Sequence, residues 1–149
     1  EPFAAQTLKS GDARRLHTVE ELWEGFICNL VVVRQEMIDR DPRAVRLLVQ
    51  GAVRAGLWAA ANLPAAAQIA AGYWNQPLDV VAYALNTPPH RVVFHRYTPK
   101  ASEMQAIADL MQRHGLIPDR AIDGLVESRF AEEADTTRIT GLDSILPAG

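Results

Sequence analysis

The side chains that could carry chemistry are few and scattered along the chain. Four histidines and one cysteine are the candidate metal ligands or nucleophiles. His90 and His95 stand five apart in a stretch that reads as extended, which would point them to opposite faces. His17 and His114 are remote from both in sequence, and Cys28 offers one thiolate. That spacing does not assemble the four ligands of a structural zinc site, so no metal is expected. There is no glycine-rich phosphate loop, no Gly-x-Ser-x-Gly elbow and no Cys–His arrangement. Asp39/Arg43 and Asp109/Arg113 are spaced as helix-surface ion pairs rather than as an acid–base couple. Trp58, Tyr73 and Trp74 read as packing anchors. These residues predict no catalytic group and no cofactor.

The elements around them read as mostly helical. Pro2–Leu8 suits a short helix with Pro2 in its first turn, and Ser10-Gly11-Asp12 a turn. Cys28-Asn29-Leu30-Val31-Val32-Val33 is β-branched and apolar, which predicts a strand covered on both faces. Arg34–Ile38 reads as a short helix. Asp41 then caps a long helix starting at Pro42 and running to about Ala61, with Val45, Leu48, Val49 and Ala52 as its buried stripe. Gly51 and Gly56 inside it are tolerable if a neighbour packs closely there. Helices over Pro64–Trp74 and Pro77–Leu85 follow, then an extended stretch over Arg91–Tyr97. Ser102-Glu103-Met104-Gln105 matches a capping box, and His114-Gly115-Leu116 a left-handed glycine cap with Leu116 folded back. A last helix is expected over Ile122–Ala131, and a polar tail from Asp135.

The chain has 149 residues, 48% hydrophobic and 22% charged, with a formal net charge of -3. That is enough for one domain with a real core, or for a piece of a larger protein. An isoelectric point near 5.8 argues against a nucleic-acid partner. The apolar stretch from Gly51 to Ala71 is interrupted by Arg54, Asn62 and Pro64, so no transmembrane span is expected. Lys9 and Lys100 are the only lysines, and heavy use of Arg and Ala suits a high-GC bacterial source. The start at Glu1-Pro2 reads as a cut through a longer chain.

One ordered set of segments resembles a known family. Glu1-Pro2-Phe3-Ala4-Ala5 is followed by Glu21-Leu22-Trp23-Glu24-Gly25, then by Cys28 to Ile38 and Asp41-Pro42-Arg43-Ala44-Val45. Leu57 to Asn62, Met104–Leu110 and Gly115-Leu116-Ile117-Pro118 complete the order. The set is similar to the C-terminal portion of the nitrate/sulfonate/bicarbonate-type substrate-binding proteins of ABC importers, in the NMT1/THI5-like superfamily. It covers about residues 1–134.

The resemblance implies an α/β fold: the mostly helical C-terminal part of a two-lobed, type II periplasmic binding protein. Residues 1–27 would close the second lobe and hinge. The stretch 28–134 would hold a crossover strand and first-lobe helices, and 135–149 the tail. Most of the sheet, and half of the ligand cleft, would come from an N-terminal half or a second chain. The implied ligand is a small polar or anionic solute such as nitrate, a sulfonate or taurine, passed to an ABC permease and its ATPase outside the cytoplasm, in the periplasm or at a membrane anchor. The implied contacts are Glu1, Pro2, Trp23, Glu24, Gly25 and Asn29. The alternative roles are a core anchor for Trp23 and a solvated helix-end charge for Glu24. Glu24 stands where nitrate-binding members carry a basic residue. A sensory domain of the same fold, a thiamin-pyrimidine synthase, and an all-α domain with no ligand, in which strand 28–33 is absent or paired within the chain, are the other readings; the synthase motif is rich in cysteine, and this chain has Cys28 alone.

Overall fold

The computed structural model describes residues 1–90 and 92–146. Along them run helices α1 (Phe3–Ser10), α2 (Val19–Leu22), α3 (Gln35–Arg40), α4 (Pro42–Ala61), α5 (Leu63–Trp74), α6 (Leu78–Asn86), α7 (Ala101–Arg113) and α8 (Arg129–Glu132), and a 3₁₀ turn at Leu142–Ser144. No β-strand occurs among the described residues. Two compact units divide the chain. The first is Glu1–Cys28 with Gly56–His95; the second is Asn29–Ala55 with Arg96–Gly149. This partition interleaves the sequence.

In the first unit α6 is the central helix. Its Val80 and Ala84 close on Ala5 of α1, with Tyr83 beside them. Its Val81 closes on Ala67 and Ala71 of α5. Alanines on both partner helices let the backbones approach, which is how short helices gain contact without long side chains. Lys9 of α1 reaches Asp79 of α6 at 2.7 Å, holding that carboxyl below its usual range chiefly through the hydrogen bond to Lys9. Asn75 ends α5 in the left-handed conformation, and the Gln76 amide returns to the Ala71 carbonyl.

In the second unit Ile38, Val45 and Phe130 form the core, with Val33 and Val49 packed on it. Asp41 caps α4 as expected, its Oδ1 accepting the Ala44 amide at 2.9 Å. The buried face differs from the expected one. Val45, Val49 and Val53 lie along one flank, while Leu48 is 52% exposed and Ala52 is exposed. With about 100° per residue, Leu48 sits some 60° round the helix from Val45, on the far side from Val49. A Cβ at Gly51 would stand 2.9 Å from Leu146 Cδ2, the tip of a flexible side chain that is itself 59% exposed. In the first unit a Cβ at Gly56 would stand 3.5 Å or more from Phe94, an ordinary van der Waals contact.

Four further expectations are corrected. Cys28–Val33 forms neither helix nor strand; Leu30, Val31 and Val32 are exposed, Val32 by 84%. A β-branched run becomes a strand only when a neighbour takes up its backbone groups, and none of the described residues does so. Lys100, not Ser102, precedes α7, and Gln105 donates to Asp109 Oδ1 and the Arg120 carbonyl instead of closing a capping box. The helix expected over Ile122–Ala131 is reduced to a turn at Ile122–Leu125 and the short α8. The surface pairs also change partners, with Asp39 accepting from Gln35 and Asp109 facing Arg120. The glycine cap after α7 does form: Gly115 has φ +69 and the Leu116 amide returns to the Met111 carbonyl, though the Leu116 side chain stays exposed. Of the extended stretch expected over Arg91–Tyr97, Arg91 lies outside the described residues, and 92–97 forms no strand. Pro147, Ala148 and Gly149 of the expected tail lie outside them too.

Candidate functional site

Five of the six residues expected to touch a solute belong to the first unit, and Asn29 belongs to the second. Glu1 and Pro2 start α1. Glu1 Oε2 accepts the Ala5 amide at 2.9 Å, placing a carboxylate where the helix leaves its first amides without partners. Pro2 is buried, and its carbonyl accepts the Gln6 amide at 3.1 Å. Both residues are thus part of how α1 begins.

Trp23 follows α2, a single turn anchored by buried Thr18, whose amide donates to Glu21 Oε2 at 2.8 Å. The Trp23 amide donates to the Val19 carbonyl at 2.8 Å. A tight turn then carries the chain from Trp23 to Phe26, whose amide returns to the Trp23 carbonyl at 3.2 Å. Gly25 takes φ +73 in that turn, a conformation that suits glycine. The turn brings the two rings together, centroids 5.6 Å apart and planes tilted by 58°. Trp23 remains half-buried and Glu24 exposed. The result is an aromatic pair with one open flank beside a solvated carboxylate. Such a pair can stack on or wall off a small ligand group. Asn29 is exposed beside the uncovered Leu30–Val32 run.

The expected packing role of the other aromatics divides. Trp58 is buried, and its carbonyl accepts from Asn62 Nδ2 at 2.9 Å, whereas Tyr73 is 87% exposed and Trp74 is also exposed. An open depression of about 350 Å³ lies in the second unit, lined by Ala101, Ser102, Gln105, Ile122, Asp123, Gly124 and Val126. It contains none of the six expected residues. Among the described residues no three His, Cys, Asp or Glu side chains converge as metal ligands. No helix is long and apolar enough to cross a membrane.

Sequence reasoning overlooked Arg54, which it took only as an interruption of an apolar run. Arg54 is 6% exposed and its guanidinium donates to four backbone carbonyls. Nε donates to Ser144 and Ile145 at 3.0 and 3.1 Å, Nη1 to Asp135 and Thr137 at 2.6 and 2.9 Å, and Nη2 to Ser144 at 2.6 Å. The expected polar tail is therefore seated on α4. The sequence signal was an arginine one turn after a helical glycine, both on one flank.

Residues 1–74 match the NMT1-like family. The N-terminal half of the chain, from α1 to the end of α5, is thus NMT1-like in sequence. No curated protein and no solved structure matches the chain.

Proposed function

We propose that the chain is part of a solute-binding protein of an ABC importer, which captures a small polar or anionic solute in the interlobe cleft of its family and delivers it to the permease outside the cytoplasm. The observation that carries this reading is the NMT1-like match over residues 1–74, which spans every residue proposed to touch the solute. The uncovered Leu30–Val32 run supports it, because a family strand separated from its sheet neighbours leaves such a surface. The protein performs no chemistry on its ligand; a thiamin-pyrimidine synthase would call for more cysteine than exposed Cys28.

In this reading Trp23 of the first unit provides a stacking wall, and Asn29 of the second unit is tested separately as a neutral donor–acceptor pair. Exposed Glu24 disfavours a bare inorganic anion, since a carboxylate beside an anion is repulsive, and favours a zwitterion such as taurine, whose ammonium it can meet. Titration calorimetry of the intact protein with nitrate, taurine and an alkanesulfonate tests this. The expected result is taurine binding that weakens about tenfold or more in Trp23→Ala, the scale of one lost aromatic contact. Unchanged affinity in both Trp23→Ala and Asn29→Ala removes this region from the site. Failure of all three solutes to bind at millimolar concentration removes the proposed ligand class.

A further inference from the structure

We propose that residues 135–146 form a strap that opens and closes over α4 as one piece, with Arg54 as its polar catch. The strap holds its own shape through local bonds. Asp135 Oδ1 accepts the Thr137 amide and hydroxyl at 2.8 and 2.7 Å, and Ser144 Oγ joins the Thr140 and Gly141 amides to the Gly141 carbonyl. Among the described residues, every hydrogen bond that the strap makes to the remainder of the chain ends on Arg54. Its apolar anchoring is slight: Ile139 and Ile145 are half-buried, and Leu146, although seated at Gly51, is 59% exposed.

Two consequences follow from that layout. A segment with no ladder, little buried apolar surface and one external catch belongs to the low-stability end of a fold, where opening is local. Opening also hydrates the guanidinium and its four carbonyls together, so it strands no unpaired charge in the interior, the feature that makes breaking a buried ion pair costly. Gly51 and Arg54 lie one turn apart on α4, so a glycine notch and a cationic fork form a single seat, uncovered when the strap lifts. The inference does not rest on the solute-binding reading.

Limited trypsin digestion of the full chain tests it, since cleavage after Arg138 requires the strap to leave its seat and tracks the population of the open form. Cleavage after Arg113, at the end of α7, is the internal reference. Arg54→Met keeps the apolar stem and removes all five bonds; it is expected to speed cleavage after Arg138 at least tenfold relative to Arg113, with the helical circular dichroism retained, and Arg54→Lys to fall between. An unchanged ratio in Arg54→Met overturns the strap. Should that variant lose its helical signal, the wild type decides in graded urea. Cleavage after Arg138 before any helix is lost supports independent opening, and cleavage only in step with helix loss overturns it.

Discussion

The two compact units are stabilised in different ways. In the first, helices pack on helices through small side chains, with Ala5, Ala67, Ala71 and Ala84 bringing α1 and α5 against α6. The second has an apolar cluster around Phe130 and a buried cation that gathers irregular backbone. The contrast shows two solutions to one problem, namely how a polar backbone satisfies itself away from water. Helices do so internally and need only surface complementarity. The segment 135–146 is not helical over most of its length, and five hydrogen bonds from a single guanidinium take up four carbonyls that a ladder would otherwise satisfy.

Truncating one core residue in each unit sharpens this contrast most strongly. Phe130 is almost fully buried, flanked by the guanidinium carbons of Arg129 and Arg46 at 4.7 and 5.8 Å from its ring centroid. Phe130→Ala is expected to destabilise the second unit by about 3–5 kcal/mol, measured by urea unfolding followed by circular dichroism. Val81 is fully buried between α5 and α6, and Val81→Ala is expected to cost roughly 1.5–3 kcal/mol in the first unit. Trp23, Trp58 and Trp74 all belong to that unit, so tryptophan fluorescence follows it specifically. A Val81→Ala cost as large as that of Phe130→Ala would break the distinction between a small-residue interface and an aromatic core.

Acid should separate the units more gently. The Asp135 carboxyl is held below its usual range first by the Thr137 hydroxyl and then by the Thr137 amide, with Arg54 and Arg138 adding to the effect. A depressed folded value means that its contribution is present above the unfolded value of about 3.9 and is lost as pH falls through the folded value. Asp79 behaves likewise through Lys9. Tryptic cleavage belongs to neutral pH, so the readout is pepsin cleavage within 135–146 as pH falls from 4 towards 2. Asp135→Asn is expected to flatten that acid dependence in the strap alone, leaving any acid response of the Lys9–Asp79 contact intact. A slope unaltered by Asp135→Asn would dismiss this carboxylate as a strap contact.

The smallest expected effect is at Leu48. It is 52% exposed, so Leu48→Ala should change stability by less than about 0.5 kcal/mol in denaturant melts. A loss of 2 kcal/mol would put it in a core and shift the covered flank of α4.

Local chemistry was legible where a few neighbouring residues settle the outcome. Asp41-Pro42 began α4 as expected, because a short carboxylate and a fixed proline φ need no distant partner. Gly115 ended α7 for the same kind of reason. The region around Trp23 was picked out by a resemblance, while its turn and its pairing with Phe26 emerged only in three dimensions.

The sequence alone determined that most of the chain is helical, and where α4, α5 and α6 start and stop to within a residue. Tertiary structure decided which flank of α4 is buried. Between Val45 and Trp58 the helix is apolar on so many sides that 3.6-residue spacing admits several stripes, and groups distant in sequence such as Phe130 and the 135–146 segment select among them. It also decided that Cys28–Val33 pairs with no strand among the described residues, because a strand is made by its neighbours. Finally, it decided that Arg54 is interior. A charge is buried only when distant groups come to meet it, and the four carbonyls that do so lie more than 80 residues further along the chain.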